Sequence, residues 1–374
     1  MTNLKVFTAF SGYDSQCMAL DRLHRHNPDF NYELVGWAEI DKYAIAAHNA
    51  VYPQWAERNY GDISKIDWAQ VPDFDLFTYS SPCQDFSQAG KQAGGTEGSG
   101  TRSSLLWECR RAILAKKPKY LLMENVAALV SQKFIRLFNA WQLELESYGY
   151  RNFAKVLNAK DYGVPQNRER IFMVSVLDEQ ARYEFPDPMP LPLRLKDVLE
   201  PKVDERYYLS KDKTLEILAK LVADQIEDRQ LLGWTRSNEG KGEVLNYHPV
   251  DVANAVTSGK RDNTQNYVIV IASRGRGEAN EQHYEPRCDG VTNALTSVQK
   301  DNLILQGYRI RKLTERECFR LMDVPEEYID RIQAAGISRS QQYKMAGNSI
   351  VVSCMYHIWR KLWIDTQIKT LTLF

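Results

Sequence analysis

Short apolar runs alternate with amphipathic stretches along the first half of the chain, a pattern typical of alternating strands and helices. Strands are predicted at residues 4–10, 34–38, 75–79, 120–124, 151–158 and 170–176, and helices at 15–26, 41–49, 104–115 and 134–148. The last helix is the clearest, because its apolar residues recur every three or four positions from Phe134 until Gly149 ends it. This alternation predicts an α/β fold with a doubly wound, mostly parallel sheet and ligands at the carboxyl ends of the strands.

The pattern changes after residue 184. Four prolines fall within residues 185–192, which we interpret as a domain boundary. The stretch up to about residue 305 has short strands and turns, and residues 254–263 repeat at 293–302. Two copies are too few for a solenoid, so a duplicated strand–turn unit is the preferred interpretation. Helical patterns return at residues 314–322 and 349–364.

Length and composition limit the class of protein. The 374 residues allow two domains or one large domain with an insertion, and 48 basic residues balance 48 acidic ones. No apolar run approaches the roughly 18–20 residues that a membrane span needs. The first ten residues lack a charged start followed by a long apolar stretch, so we expect no signal peptide and a cytoplasmic location. The six cysteines form no Cys-x-x-Cys pair, so we expect no metal site.

Two acidic residues near strand ends indicate a nucleoside-containing ligand. Glu39 ends the second predicted strand, where its carboxylate can accept hydrogen bonds from ribose hydroxyls. Asp62 can accept one from an adenine amino group. Either residue alone is more often a turn or cap residue. The loop after the first strand, residues 9–14, lacks the G-x-G-x-x-G pattern, so we expect no diphosphate on this ligand.

A cysteine follows the third predicted strand. Pro82 restricts its own backbone and that of Ser81, so the direction of the Cys83 thiol is held. A thiolate is the best nucleophile that proteins offer near neutral pH. A structural cysteine usually lies in an apolar run, whereas polar residues and five glycines between residues 90 and 100 flank this one. We therefore interpret Cys83 as a nucleophile beside a loop that closes over substrate.

Charged groups are predicted at the same edge of the sheet. Glu124 ends a strand there, and a carboxyl group that keeps its proton can act as an acid or a hydrogen-bond donor. Arg168 and Arg170 are two positions apart, so they share one face of an extended segment. Taken alone, the two arginines could equally be surface ion-pair residues.

Together these motifs resemble those of the cytosine-5 DNA methyltransferases of bacteria and phages. The motifs that occur in that family's order and spacing lie at residues 82–84, 124–126 and 166–170. Three further stretches are similar to family motifs, at residues 10–12, 311–317 and 345–349. The resemblance covers nearly the whole chain except about 185–305, where members of the family vary most.

The resemblance implies a Rossmann-like methyltransferase fold that uses S-adenosylmethionine. Residues 1–184 and 336–374 would form the catalytic domain, and residues 185–335 a smaller, mixed target-recognition domain. The cofactor site would be lined by Phe10, Gly12, Glu39, Ile40, Asp62, Leu105, Asn348 and Ser349. One position departs from the family, because Asp14 replaces the second glycine of the first motif. We expect the turn to differ there and cofactor binding to survive.

The resemblance also implies the chemistry. Cys83 would attack C6 of a cytosine flipped out of the duplex, and Glu124 would stabilise charge at N3 and the amino group. Arg168 would support the base and the thiolate, with Pro82 and Arg170 completing the catalytic set. The implied partner is double-stranded DNA, contacted by a monomer through Gln84, Ser87, Arg274 and Arg276. The recognised sequence and the existence of a cognate restriction endonuclease stay open.

Two related alternatives also stay open. A tRNA cytosine-5 methyltransferase uses the same scaffold, but its Cys-Phe-Thr motif is approached here only by residues 318–320, inside a different motif. A non-catalytic, DNA-binding regulatory homologue would be expected to lose Cys83 or Glu124, and both are present. A cofactor-dependent oxidoreductase is disfavoured, because the dinucleotide fingerprint is missing.

The predicted target-recognition domain offers one test. Arg274 and Arg276 lie in a glycine-rich stretch, where we expect them to contact DNA. Replacing both with alanine should weaken DNA binding and leave the affinity for S-adenosylmethionine unchanged, because the two ligands occupy different domains. Titrations of the double variant with each ligand measure this, and unchanged DNA binding would contradict the assignment.

Overall fold

The computed structural model describes residues 2–81, 105–228, 233–237, 244–248, 268–276, 281–287, 289–298, 301–306 and 309–365. Predictions that lie outside these residues concern Pro82, Cys83, Gln84, Ser87, the loop at 90–100 and the first copy of the repeat. The backbone of Arg274 and Arg276 is described as part of a strand, but their side chains are not. The assignments of these residues stay predictions.

A six-stranded sheet forms the centre of the molecule. In chain order its strands are β1 (Thr2–Ala9), β2 (Phe30–Ala38), β3 (Leu76–Tyr79), β4 (Tyr120–Val126), β5 (Arg151–Asn158) and, after the two-residue β6 (Gln166–Asn167), β7 (Glu169–Val176). Their order across the sheet is β2-β1-β3-β4-β7-β5, and β7 alone runs opposite in direction to the other five strands. The predicted mostly parallel, doubly wound sheet is confirmed. The chain returns from β5 to β7 too quickly for the crossover that a parallel strand needs, which explains the reversal.

Helices cover both faces of this sheet. In chain order, the helices of the described residues are α1 (Ser15–His26), α2 (Lys42–Val51), α3 (Glu108–Lys116), α4 (Ile135–Ser147), α5 (Leu195–Val198), α6 (Lys211–Asp228), α7 (Glu315–Arg320), α8 (Glu326–Ala334), α9 (Arg339–Asn348) and α10 (Val352–Arg360). Successive residues of β1 point to opposite faces: Val6 joins a core cluster with α1 and α10, and Phe7 joins another with α3 and α4. The strands are therefore apolar on both sides, as parallel strands usually are.

The end of the chain returns to the sheet, as the sequence predicts. His26 Nδ1 on α1 lies 2.9 Å from the Tyr356 hydroxyl on α10, and Arg22 lies over the Tyr356 ring. The predicted helix at 349–364 begins only at Val352, because Ser349 has extended backbone (φ −81°, ψ 169°). The residues before α10 thus form a short extended segment at the edge of the sheet.

A smaller antiparallel sheet follows in the sequence. Its strands are β10 (Val268–Arg276), β11 (Glu281–Arg287), β13 (Asn302–Gln306) and β14 (Arg309–Lys312), and a separate hairpin pairs β8 (Gly233–Ser237) with β9 (Val244–His248). Helix α6 packs on the small sheet through Ile217 and Leu221. The short β12 (Thr292–Asn293) pairs in parallel with β6 and so connects this part of the chain to the edge of the large sheet.

The predicted domain boundaries stay a prediction. Phe319 on α7 and Ile329 on α8, which the prediction assigns to the target-recognition domain, pack in the same core cluster as Met355 on α10. The buried side chains of Arg311 and Glu317 join β14 to α7 through two N–O contacts of 2.8 Å. The segment around residues 311–335 therefore connects the two sheets.

Two general features concern the described part of the chain alone. There, no helix combines the length and the apolar character that crossing a bilayer requires. No group of three or more His, Cys, Asp or Glu side chains in the same residues is arranged to hold a metal ion.

Candidate active site

The carboxyl ends of β1 and β2 form the first part of the candidate site. The Glu39 carboxylate accepts a hydrogen bond from the Gly12 backbone N–H at 2.9 Å. Its other oxygen accepts from the backbone N–H groups of Ile40 and Asp41, both at 2.8 Å. Three backbone donors thus hold this carboxylate beside the turn that follows β1, at the sheet edge where doubly wound folds bind ligands.

Open space adjoins this turn. Gly12 and Gly61 have left-handed backbone (φ +58° and +71°), and a Cβ atom on either would meet no atom of the described residues within 4 Å. Ile40 is 70% exposed, which leaves an apolar side chain next to the Glu39 carboxylate. A ligand with an apolar ring and several hydroxyls would find both kinds of contact here.

Asp62 caps a short helical turn. Its Oδ1 accepts hydrogen bonds from the Ser64 backbone N–H at 3.0 Å and the Ser64 hydroxyl at 2.8 Å. The bond from the Ser64 hydroxyl is the main cause of the lowered pKa of the Asp62 carboxyl. The cap interpretation therefore accounts for part of its role, and a bond to an adenine amino group stays a prediction.

The segment after α9 meets the loop between β1 and α1. The Ser349 hydroxyl donates to the Ser15 hydroxyl at 3.1 Å, at the first residue of α1. Asn348 beside it is exposed. Phe10 is half-buried with left-handed backbone (φ 56°), and Leu105 begins the described stretch before α3. The structure therefore brings Ser349 to this part of the site, and the cofactor contacts of the other residues stay predictions.

Asp14 adopts the left-handed conformation that glycine favours (φ 67°, ψ 54°). Its Oδ1 accepts from the Cys17 backbone N–H at 3.2 Å and so caps α1, while its Oδ2 accepts from the Thr8 hydroxyl at 3.0 Å. His48 Nε2 lies 3.4 Å from the same carboxylate, and both side chains are fully buried. The His48 ring stacks on Trp37 at 3.7 Å between centroids. The cap and the bond from the Thr8 hydroxyl offset the strain of this backbone conformation.

Glu124 and Arg170 form the second part of the site. Glu124 on β4 and Arg170 on the adjacent β7 meet with 3.1 Å between Oε1 and Nε. Burial raises the pKa of the Glu124 carboxyl, and the cations of Arg170 and Arg168 oppose this shift. A buried carboxyl with a raised pKa can keep its proton and donate a hydrogen bond to a base.

Arg168 is buried where three segments meet. Its Nη1 donates to the Leu295 carbonyl at 3.0 Å, and its Nη2 donates to the carbonyls of Gly347 and Ser349 at 3.0 and 2.8 Å. These bonds hold the main chain at Ser349, which contacts Ser15 at the start of α1. The contact of Arg168 with the base and the thiolate stays a prediction.

Two buried polar side chains that assemble the site were not singled out from the sequence. The Gln166 amide accepts from the Leu295 backbone N–H at 3.0 Å and donates to the Leu321 carbonyl at 2.6 Å. The Asn125 amide donates to the Ser81 carbonyl at 3.2 Å, next to Glu124. Both residues belong to motifs that the sequence identified, but their partners are 44 to 155 residues away, so spacing alone does not reveal them.

A family model agrees with this arrangement. The model, described as C-5 cytosine-specific DNA methylase, matches residues 4–363. The chain belongs to this family. The resemblance predicted from the motifs is confirmed, and the protein is a DNA cytosine-5 methyltransferase.

Relatives are similar to this methyltransferase over nearly its full length. The type II methyltransferase M2.ScrFI of Lactococcus lactis subsp. cremoris is 32% identical, with 96% of this chain and 99% of that protein covered. The orphan methyltransferase M.SPRI of Bacillus phage SPR is 29% identical, with 99% of each covered.

Solved structures share the fold. The Dnmt2 methyltransferase of S. pombe has a TM-score of 0.60 at 16% identity, with 98% of this chain and 99% of that chain covered. The methyltransferase EhMeth of Entamoeba histolytica has a TM-score of 0.61 at 16% identity and the same coverage. At this identity the two structures support the fold alone.

Asp14→Gly tests what the buried carboxylate contributes to this methyltransferase. We expect a modestly lower melting temperature, because the buried Thr8 hydroxyl loses its bond to the Asp14 carboxylate. Loss of the cap itself adds only a few tenths of a kcal/mol, since glycine is a good cap residue and adopts the left-handed backbone without strain. The affinity for S-adenosylmethionine should stay within about tenfold, roughly 1.4 kcal/mol, because the Glu39 contacts are unchanged. Thermal unfolding and a cofactor titration measure the two effects.

Asp67→Gly is the matched control, because Asp67 caps a short helical turn with an exposed bond to the Ala69 N–H at 3.1 Å. Asp67→Gly should lower the melting temperature less than Asp14→Gly does, and it should leave the affinity for S-adenosylmethionine unchanged. A loss of cofactor affinity well beyond tenfold in Asp14→Gly would show that the carboxylate also shapes the cofactor site.

Proposed function

We propose that the chain transfers a methyl group from S-adenosylmethionine to C5 of a cytosine flipped out of a specific duplex DNA sequence, through a covalent bond between Cys83 and C6. One observation supports this most directly: Glu124, whose pKa is raised by burial, lies at the strand end where Asn125 holds Ser81. Ser81 stands two positions before Cys83 in the sequence. An acid whose pKa is raised by burial thus lies beside the residue that precedes Pro82 and Cys83 in the sequence.

The first part of the site suits the methyl donor. When bound, S-adenosylmethionine supplies an electrophilic methyl group on its sulfonium. We assign its hydroxyls to the Glu39 carboxylate and its base to the exposed Ile40, because the space next to Gly12 is open. The remaining assigned residues are Phe10, Asp62, Leu105, Asn348 and Ser349. No diphosphate cradle is needed for a sulfonium amino acid.

The chemistry requires electron density at C5, which is a poor nucleophile in free cytosine. The Cys83 thiolate forms an S–C6 bond and pushes the ring electrons toward C5 and N3. Glu124 donates a hydrogen bond to N3 and accepts one from the amino group, which stabilises the developing charge. After C5 has taken the methyl group, loss of the C5 proton breaks the S–C6 bond and releases the thiolate.

Duplex DNA is the proposed substrate form. C6 is stacked and unreachable within a duplex, so the base must be extruded before the thiolate can attack. The stretch from residue 84 to 119 contains seven Lys and Arg residues against three acidic ones, which favours a polyanion beside the nucleophile. Since the relatives are named type II and orphan methyltransferases, we propose a role in restriction–modification or in phage or orphan DNA modification.

Transfer of labelled methyl groups into duplex DNA and into tRNA tests the proposal. We expect label in DNA as 5-methylcytosine, lost in Cys83→Ala and retained in Cys354→Ala, because Cys354 is a buried core thiol. Label in tRNA alone would keep the mechanism and replace the substrate. No transfer into either, with cofactor still bound, would favour the non-catalytic homologue.

The raised pKa of Glu124 predicts a pH dependence. The protonated carboxyl is present below this pKa and lost above it, so the single-turnover rate should fall as pH rises through it. Arg170→Met removes a cation that lowers this pKa, so the fall should move to higher pH. Glu124→Gln should lower the rate about 100-fold and abolish the decrease of the rate with rising pH. If the rate of Glu124→Gln still decreases with pH as in the wild type, the titrating group is not Glu124, which would contradict the prediction.

A further inference from the structure

The described residues on either side of the Cys83 segment lead to one indole ring. Tyr79 ends β3 just before this segment, and Trp107 precedes α3 just after it. Both side chains contact Trp141 of α4, which is fully buried in the core cluster on this face of the sheet. Described residues shortly before and shortly after residues 82–104 in the sequence, a stretch that contains Cys83, therefore contact the same side chain.

The contacts of Trp141 are specific. Its indole N–H donates to the Tyr79 hydroxyl at 3.0 Å, and the two rings meet edge to face at 84°. The Trp107 ring also meets Trp141 edge to face at 88°, with 5.4 Å between centroids. Edge-to-face pairs are a favoured aromatic geometry, and they add stability beyond the buried area. Trp141 thus connects Tyr79 at the end of β3 with Trp107 at the start of α3.

The hydrogen bond explains why a tryptophan is needed here. Tyr79 is 1% exposed, and burial raises the pKa of its hydroxyl well above the usual value. A buried hydroxyl that loses its partner is costly. Phenylalanine would fill part of the space of Trp141 but would donate nothing to Tyr79. Leucine or methionine would lose both the bond and the edge-to-face contacts.

A second contact connects this arrangement to the acid. The Asn125 amide donates to the carbonyl of Ser81, which is the last described residue before Cys83. Asn125 adjoins Glu124 on β4. We propose that Trp141 is a positioning residue for the methyl transfer. It holds the described residues before Cys83 (79–81) and after it (105–107) relative to the strand that bears Glu124. The inference rests on the proposed function, because it acts through the thiol and the acid. Misplacement of reacting groups by about 1 Å can slow a reaction about 100-fold.

Single-turnover methylation of duplex DNA by the full chain tests this role. Trp141→Phe and Tyr79→Phe should each lower the rate at least about tenfold, while the dissociation constants for DNA and S-adenosylmethionine stay within about twofold. The double variant should be no slower than Trp141→Phe, because both single changes remove one shared bond. The temperature is kept well below the melting temperature of every variant.

Trp359→Phe is the matched control, because Trp359 is equally buried but lies in the core cluster on the opposite face of the sheet. It should lower the melting temperature and leave the rate within about twofold. A wild-type rate in Trp141→Phe, or an equal loss in Trp359→Phe, would overturn the positioning role and leave the proposed function intact. A wild-type protein that methylates no DNA would contradict the proposed function, and this inference with it.

Discussion

The buried guanidinium of Arg168 is the contact around which the site is assembled. A buried cation is strongly unfavourable unless its N–H groups find acceptors, and the carbonyls of Leu295, Gly347 and Ser349 provide them. Because these acceptors belong to the main chain, the arginine fixes the path of two distant segments. The packing is close, since a Cβ atom on Gly347 would lie 2.2 Å from the carbonyl oxygen of Thr296. If either segment shifted, the Arg168 guanidinium would lose hydrogen-bond acceptors or become exposed to solvent.

This junction connects the small sheet to the catalytic edge. β12 pairs with β6, and the Gln166 side chain binds Leu295 and Leu321 from the same edge. Glu124 lies nearby on β4, where burial raises the pKa of its carboxyl and the cations of Arg170 and Arg168 oppose that rise. The Ser349 end of the junction contacts Ser15 at the start of α1. Side-chain hydrogen bonds from Gln166, Arg168 and Ser349 therefore join the segments at Leu295, Leu321 and Gly347 to the start of α1 and to the edge of the large sheet.

Local pattern was sufficient for most of the framework. The helix at 15–26 and the strand at 151–158 lie where they were predicted, because each has a clear apolar period and definite ends. The alternation of strands and helices did not predict that β7 is antiparallel, because this direction follows from the short connection between β5 and β7. Asp14 was expected to change its turn, whereas it takes up the glycine-like conformation and caps α1. The partners of Gln166 and Arg168 lie more than 100 residues away, and only the tertiary fold determines them.

Two glutamates at strand ends show how the same side chain acquires different roles. Glu39 accepts three backbone N–H groups, which suits an acceptor beside open space. Glu124 is 8% exposed, and burial raises its pKa against the opposing arginines, which suits a donor to a neutral base. The sequence places both residues at the carboxyl edge of the sheet. Their surroundings make Glu39 a hydrogen-bond acceptor and raise the pKa of Glu124, so that it suits the role of an acid. Because Arg170 contacts Glu124 directly, the strength of that acid depends on the one antiparallel strand of the sheet, β7, which carries the arginine.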